Sequence, residues 1–164
     1  MPQTIRPDAS TTRTQLTGHV MPAVVGQTTM HGCMDELAPV TADYTQCAPG
    51  SVGTVLVVGL GDPATTPSND LNHIIRVCAS KDSSGGAAVG MVCELRQSYV
   101  DETDLGTLVA TFVCGGLSDV VFDSFYRYRV TTAEAALITD YTALSFRFLS
   151  TNARGVAPRS VRLH

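Results

Sequence analysis

No tryptophan occurs among the 164 residues, and only 16% of the chain is charged. The 11 lysines and arginines form no run, and the formal net charge is −4. A nucleic-acid-binding face needs a basic patch, so no nucleic-acid partner is expected. No stretch approaches the ~18 apolar residues of a membrane span, so no membrane partner is expected either. The opening MPQTIRPDAS lacks the apolar core of a signal peptide, and no N-x-S/T acceptor is present. The five cysteines (Cys33, Cys47, Cys78, Cys93, Cys114) are odd in number and lack C-x-x-C spacing. That argues against a zinc site and against a disulfide framework. Free, mostly buried thiols in a protein assembled in the cytosol are the expectation.

What is abundant is apolar and turn-forming. Hydrophobic residues make up 44%, with 14 Gly and 8 Pro, a composition that suits strands and turns better than helices. The length fits one domain, which would bury about two-thirds of its unfolded surface. Residues 1–22 are rich in Thr, carry Pro2, Pro7 and Pro22, and show little periodicity. They read as an extended N-terminal arm with an edge strand around residues 14–20, of the kind that either frays or lies on a neighbouring subunit. Residues 23–164 read as a single β-sandwich domain.

The central stretch from His73 to Gln97 has the clearest pattern: HIIRVCAS, then KDSSGGAA, then VGMVCELRQ. Alternation of period two marks half-buried strands. Ile75, Val77 and Ala79 share one face, and Met91, Cys93 and Leu95 share another. Folding about Gly85 predicts a hairpin with Ile75 opposite Leu95, Val77 opposite Cys93 and Arg76 opposite Glu94. Gly85 and Gly86 would supply the positive φ of the turn. Cys78 and Cys93 then point to opposite faces and cannot bond.

Further strands are expected at Thr54–Leu60, Thr107–Cys114, Phe125–Val130, Ala143–Ser150 and Ser160–His164, with another entered at Asp43. Thr131 and Glu134 form a capping box that opens a short helix near 132–139. Seven or eight short strands with Gly/Pro turns and a single short helix predict an all-β fold. The expected architecture is a two-sheet antiparallel sandwich of jelly-roll type.

Several stretches resemble chemical motifs and fail on physical grounds. Gly59-x-Gly61-x-x-Ala64 follows a strand, but Pro63 and Pro67 forbid the helix that would hold a pyrophosphate, so no cofactor is expected. His31, Cys33, Asp35, Glu36 and Asp43 fall in no ligand spacing, so no metal is expected. The Tyr/Arg alternation of FYRYRV could stack bases, yet a strand with one buried and one wet face gives the same pattern. His19, His31, His73 and His164 sit in no nucleophile–base arrangement, and His73 reads as a surface residue at a strand start. Asp101, Glu102 and Asp104 share a loop, where repulsion and solvation are the ordinary outcome. No enzyme is expected.

The order of residues does resemble one family. Ile5-Arg6-Pro7-Asp8-Ala9, Met34-Asp35-Glu36 and Asp43-Tyr44 are followed by a Gly-Gly turn and Glu94-Leu95-Arg96-Gln97-Ser98-Tyr99. Then come Gly106-Thr107-Leu108-Val109-Ala110, the run Thr131 to Tyr141, and Leu144-Ser145-Phe146-Arg147-Phe148. This succession is similar to small β-sandwich structural proteins of tailed-phage virions. The resemblance implies a non-enzymatic homo-oligomer, a dimer or trimer, assembled in the host cytoplasm and carried on the capsid surface. There it would act as a decoration or cement protein bridging major capsid subunits. Ile5, Arg6, Pro7, Thr12, Arg13 and Leu16 in the arm are the candidate capsid or subunit contacts. The alternative is a tail-fibre or spike-associated module binding host-surface glycan. Against it, the chain has no Trp, and Tyr44, Tyr99 and Tyr141 are scattered.

Overall fold

Where the sequence alternates, the chain is extended. The computed structural model describes residues 15–17, 23–25, 44–46, 52–68, 70–86, 88–119, 125–151 and 161–163. The strands are β1 (Gln15–Thr17), β2 (Ala23–Val25), β3 (Tyr44–Gln46), β4 (Val52–Gly59) and β5 (Ile74–Lys81). They continue with β6 (Met91–Gln97), β7 (Thr107–Cys114), β8 (Phe125–Arg129), β9 (Leu144–Thr151) and β10 (Val161–Leu163). The helix α1 (Thr132–Ala135) has four residues, shorter than the expected 132–139. Its capping box is formed, with Glu134 N donating to Thr131 Oγ1 and Thr131 N donating to the Glu134 carboxylate.

The strands form two antiparallel five-stranded sheets, ordered β1-β4-β9-β6-β7 and β2-β3-β10-β5-β8. The pairs β6:β7, β5:β8, β4:β9 and β3:β10 nest one inside the next along the chain. Alternate pairs fall in opposite sheets, which is the connectivity of a jelly roll. The all-β two-sheet sandwich expected from composition and strand spacing is the architecture observed. β1 falls within the stretch expected to form an arm, and it pairs with β4.

The inner faces meet as the alternation predicts. Leu56 and Val58, Met91, Cys93 and Leu95, and Phe148 come from one sheet, and Ile75, Val77, Ala79, Val161 and Leu163 from the other. Tyr126 and Tyr128 pack on this core, and the Tyr128 ring stacks on Phe112 across the sandwich at 5.1 Å between centroids. In β7 the period slips at a bulge: Leu95 pairs with Ala110 but Arg96 pairs with Leu108, leaving Val109 as the extra residue. Val109 and Ala110 are both buried as a result.

The expected hairpin between residues 73 and 97 is not formed. β5 pairs with β10 and β8, and β6 pairs with β7 and β9, so the two runs belong to different sheets. Period two states which face of a strand is apolar and is silent on its neighbour. Ile75, Val77 and Ala79 do face Met91, Cys93 and Leu95, but across the core, where facing sheets lie about 10 Å apart. Gly85 and Gly86 do adopt φ of +67°, in a connection that changes sheet. The Arg76–Glu94 pair falls with the hairpin. Arg76 lies opposite Arg127, and Glu94 lies between Thr111 and Arg147.

Cys78, Cys93 and Cys114 are buried and in no disulfide, while Cys33 and Cys47 lie outside the described residues. Cys93 Sγ is 3.7 Å from Cys114 Sγ in the core. That hydrogen bond, with burial, holds the Cys93 thiol well above the usual range. Burial pushes Cys78 up to about 11. Neither thiol is ionised at neutral pH, so both pack as small apolar groups.

Candidate functional site

Of the six contact residues expected in the arm, Ile5, Arg6, Pro7, Thr12 and Arg13 lie outside the described residues. Leu16 is in β1, with its backbone opposite Leu56. His31, Cys33, Asp35, Glu36 and Asp43 also lie outside. Among the described residues no three His, Cys, Asp or Glu side chains gather as metal ligands would, and no helix is long and apolar enough to cross a membrane. After Gly59 and Gly61 the chain bends without forming a helix, as Pro63 and Pro67 require.

His73 departs from expectation. It is half-buried; its Nε2 lies 2.8 Å from the Tyr141 hydroxyl, and the two rings stack at 5.8 Å. Beside it a shallow pocket of about 300 Å³ is lined by Asp70, Leu71, Asn72, Arg129, Val130, Thr131 and Thr132.

The three loop carboxylates are not a repelling cluster either. Asp101 accepts hydrogen bonds from Thr103 N, Thr103 Oγ1 and Asp104 N, and the Thr103 side chain leads in holding its carboxyl below the usual range. Asp104 accepts from Gly106 N. Glu102 reaches back over the outer face of the β4-β9-β6-β7 sheet and takes Arg147 in a bidentate pair, with Nε to Oε1 at 2.8 Å. Arg147 Nη1 also donates to Glu94 Oε2 at 3.1 Å, and Arg96 Nε donates to the same oxygen at 2.7 Å. Tyr99 donates to Glu102 Oε1, and Arg96 donates to the Leu105 carbonyl.

The result is a closed network of two arginines, two glutamates and a tyrosine, with no net charge. Register accounts for it. Val57, Arg147, Glu94 and Thr111 form one row across β4, β9, β6 and β7, and Gly59, Ser145, Arg96 and Leu108 form the next. Tyr99 is 5% exposed and packs with Val55 and Val57 as a second small core, bordered by Leu105 and Leu149. Bonding to Arg147 is the foremost cause that holds the Glu102 carboxyl below the usual range, and burial pushes the Tyr99 phenol above its own. A Cβ at Gly106, where φ is +61°, would lie 2.7 Å from the Ser98 carbonyl carbon and closer still to the Gln97 oxygen. Only glycine lets the loop return this tightly to β7.

The outer face of the other sheet is arranged differently. β5 turns out Ile74, Arg76 and Cys78, and β8 turns out Arg129, Arg127 and Phe125 directly opposite them. Arg76, Arg127 and Arg129 are exposed, as are Ile74 at 41% and Phe125 at 52%. Arg129 donates to Asn72 Oδ1, and Arg162 of β10 lies 4.3 Å over the Tyr44 ring. Among the described residues no carboxylate pairs with Arg76 or Arg127.

Composition hid this cluster, because its members are separated in sequence and only register brings them together. The Tyr/Arg alternation itself resolves as a strand with Tyr126 and Tyr128 turned inward and the arginines outward. The buried network also left a trace: Val55-Leu56-Val57-Val58 is apolar without alternation, the mark of a strand covered on both faces. A scan against protein-family models finds no matching family, and searches of curated proteins and of solved structures find no match.

Proposed function

We propose that this chain is a structural protein of a tailed-phage virion, a capsid decoration or cement protein that binds major capsid subunits and its own copies. The observation that carries this reading is the edge strand β7. It is the last strand of its sheet, eight residues long, and its sequence TLVATFVC holds neither charge nor proline. Val113 is 67% exposed and Leu108 42%. Soluble monomers blunt such edges with lysine, proline or short strands, because free backbone N–H and C=O groups recruit another strand. Among the described residues no strand pairs with the outer side of β7, and an apolar edge of this kind suits a protein that works in an assembly, as does the resemblance in residue order to phage structural proteins. Cementing acts through many modest contacts repeated over a symmetric lattice.

The test is addition of the purified protein to heads that lack it, followed by sedimentation and imaging. Retention with regular density over the shell is the expected result. Density at a single vertex would move the protein to the tail, and failure to be retained would overturn the cement role. The pocket beside Arg129 favours a second reading, glycan binding on a fibre or spike. It offers Asp, Asn, Arg and Thr groups to sugar hydroxyls but no aromatic platform. Binding of the purified protein to host cells or glycans, lost on Asn72→Ala, would support that reading.

A further inference from the structure

The β5–β8 face carries two arginines in a position that does nothing for the fold. Arg76 and Arg127 are a directly opposed pair, and opposed like charges destabilise a sheet. Arg129 is next along β8 on the same face. The described outward positions of β5, β8 and β10 include no acidic residue, although the chain has 15 Asp and Glu against 11 Lys and Arg. The other sheet shows what the same sequence does with arginines that serve stability: Arg96 and Arg147 are each bonded to glutamate.

We infer that the outer face of β5 and β8 docks a carboxylate-bearing surface of another protein, with Arg76, Arg127 and Arg129 as anion contacts and Ile74 and Phe125 as apolar flanks. The guanidinium fork takes a carboxylate through two parallel hydrogen bonds, and an incoming anion turns the Arg76–Arg127 repulsion into shared attraction. Arginine beside exposed aromatic and aliphatic side chains is the composition of a protein interface core. A nucleic-acid strand fits less well, since it needs a basic track longer than three arginines on a chain of net charge −4. The inference concerns the chemistry of a partner and stands whether or not the assembly is a phage head.

The full-length protein would be titrated with poly-L-glutamate and, separately, with a poly(dT) oligonucleotide of similar length. Fluorescence anisotropy would report binding at two salt concentrations, and amide shifts would locate it. The expected result is salt-sensitive polyglutamate binding that perturbs Ile74–Lys81 and Phe125–Arg129 and weakens roughly tenfold or more in the Arg76→Thr/Arg127→Thr double variant. The same variant should melt about 1–4 °C higher than the parent, because the repulsion is gone. That rise separates loss of a contact from loss of the fold, and Arg127→Gln alone serves if the double variant fails to fold. Lys81→Thr, at the end of β5 and bonded to the Gly85 carbonyl, should leave binding within about twofold. Absence of polyglutamate binding, or binding indifferent to the double substitution, would overturn the inference. Tighter binding of poly(dT) through the same arginines would reassign the face to nucleic acid.

Discussion

The two outer faces of the sandwich use arginine in opposite ways. On the β4-β9-β6-β7 side, Arg96 and Arg147 are each 8% exposed and roofed by residues 98–106, Arg96 bonded to Glu94 and Arg147 to both Glu94 and Glu102. On the β5–β8 side, Arg76 and Arg127 are exposed and face one another. The first arrangement is closed and neutral, a polar network with its members satisfied, which fixes a loop and rigidifies a sheet. The second is open and keeps its donors toward solvent. The difference teaches that burial and partner, more than residue type, decide whether a charge serves the fold or a surface.

Substitutions can sharpen that contrast, and the largest effect should come from Arg147→Ala. It would strip Glu102 and Glu94 of a shared cation and destabilise the fold by about 2–3 kcal/mol, short of the full-burial range because the Glu102 side chain keeps 28% of its exposure. Urea unfolding at neutral pH measures it. Acid titration gives the same contrast a second readout. Because Arg147 depresses Glu102 below its reference 4.5, the stability Glu102 contributes is present above about 4.5 and lost as pH falls through the lower folded value. The parent should therefore lose stability below pH 4.5 more steeply than the Arg147 variant, whose Glu102 titrates closer to its ordinary value.

Gly106→Ala forces an L-residue into positive φ against the Gln97 and Ser98 backbone. It should destabilise by about 2 kcal/mol and speed amide exchange across 98–106. Tyr99→Phe removes one bond to Glu102 while Arg147 still holds that carboxylate, so a loss of about 1 kcal/mol is expected in the same urea assay. The smallest effect has the opposite sign. Arg76→Thr alone should raise stability by about 0.2–1 kcal/mol, read as a higher urea midpoint at unchanged slope. If instead it destabilises, the two faces are less different than their geometry states.

Much of this fold was legible in the residues. Most strand positions followed the apolar and alternating runs, the inward sets Ile75, Val77, Ala79 and Met91, Cys93, Leu95 followed from parity, and Thr131 with Glu134 marked the only described α-helix, while β2 carried no such signal. Pairing was not legible. The run ending at Lys81 and the run starting at Met91 looked like one hairpin because each has an apolar face, and any two strands that border a core have that. The connectivity that decides between neighbours depends on contacts far apart in sequence, such as Val161 with Lys81. The Glu102–Arg147 clamp was hidden for the same reason, since 45 residues separate partners that register and a returning loop bring together. The arginine face likewise arises from β5 and β8, because Arg76 and Arg127 stand 51 residues apart in sequence and adjoin only through folding.

The position of β10 bears on how the molecule is made. Three residues near the far end of the described chain fill the slot between β3 and β5, in the middle of their sheet. Among the described strands, β10 alone joins the pair β2-β3 to the pair β5-β8 in that layer. Such long-distance closure predicts folding on the order of milliseconds to seconds. Before that slot is filled, the same strand of a neighbouring chain can enter it, so folding at high concentration should yield some swapped dimers.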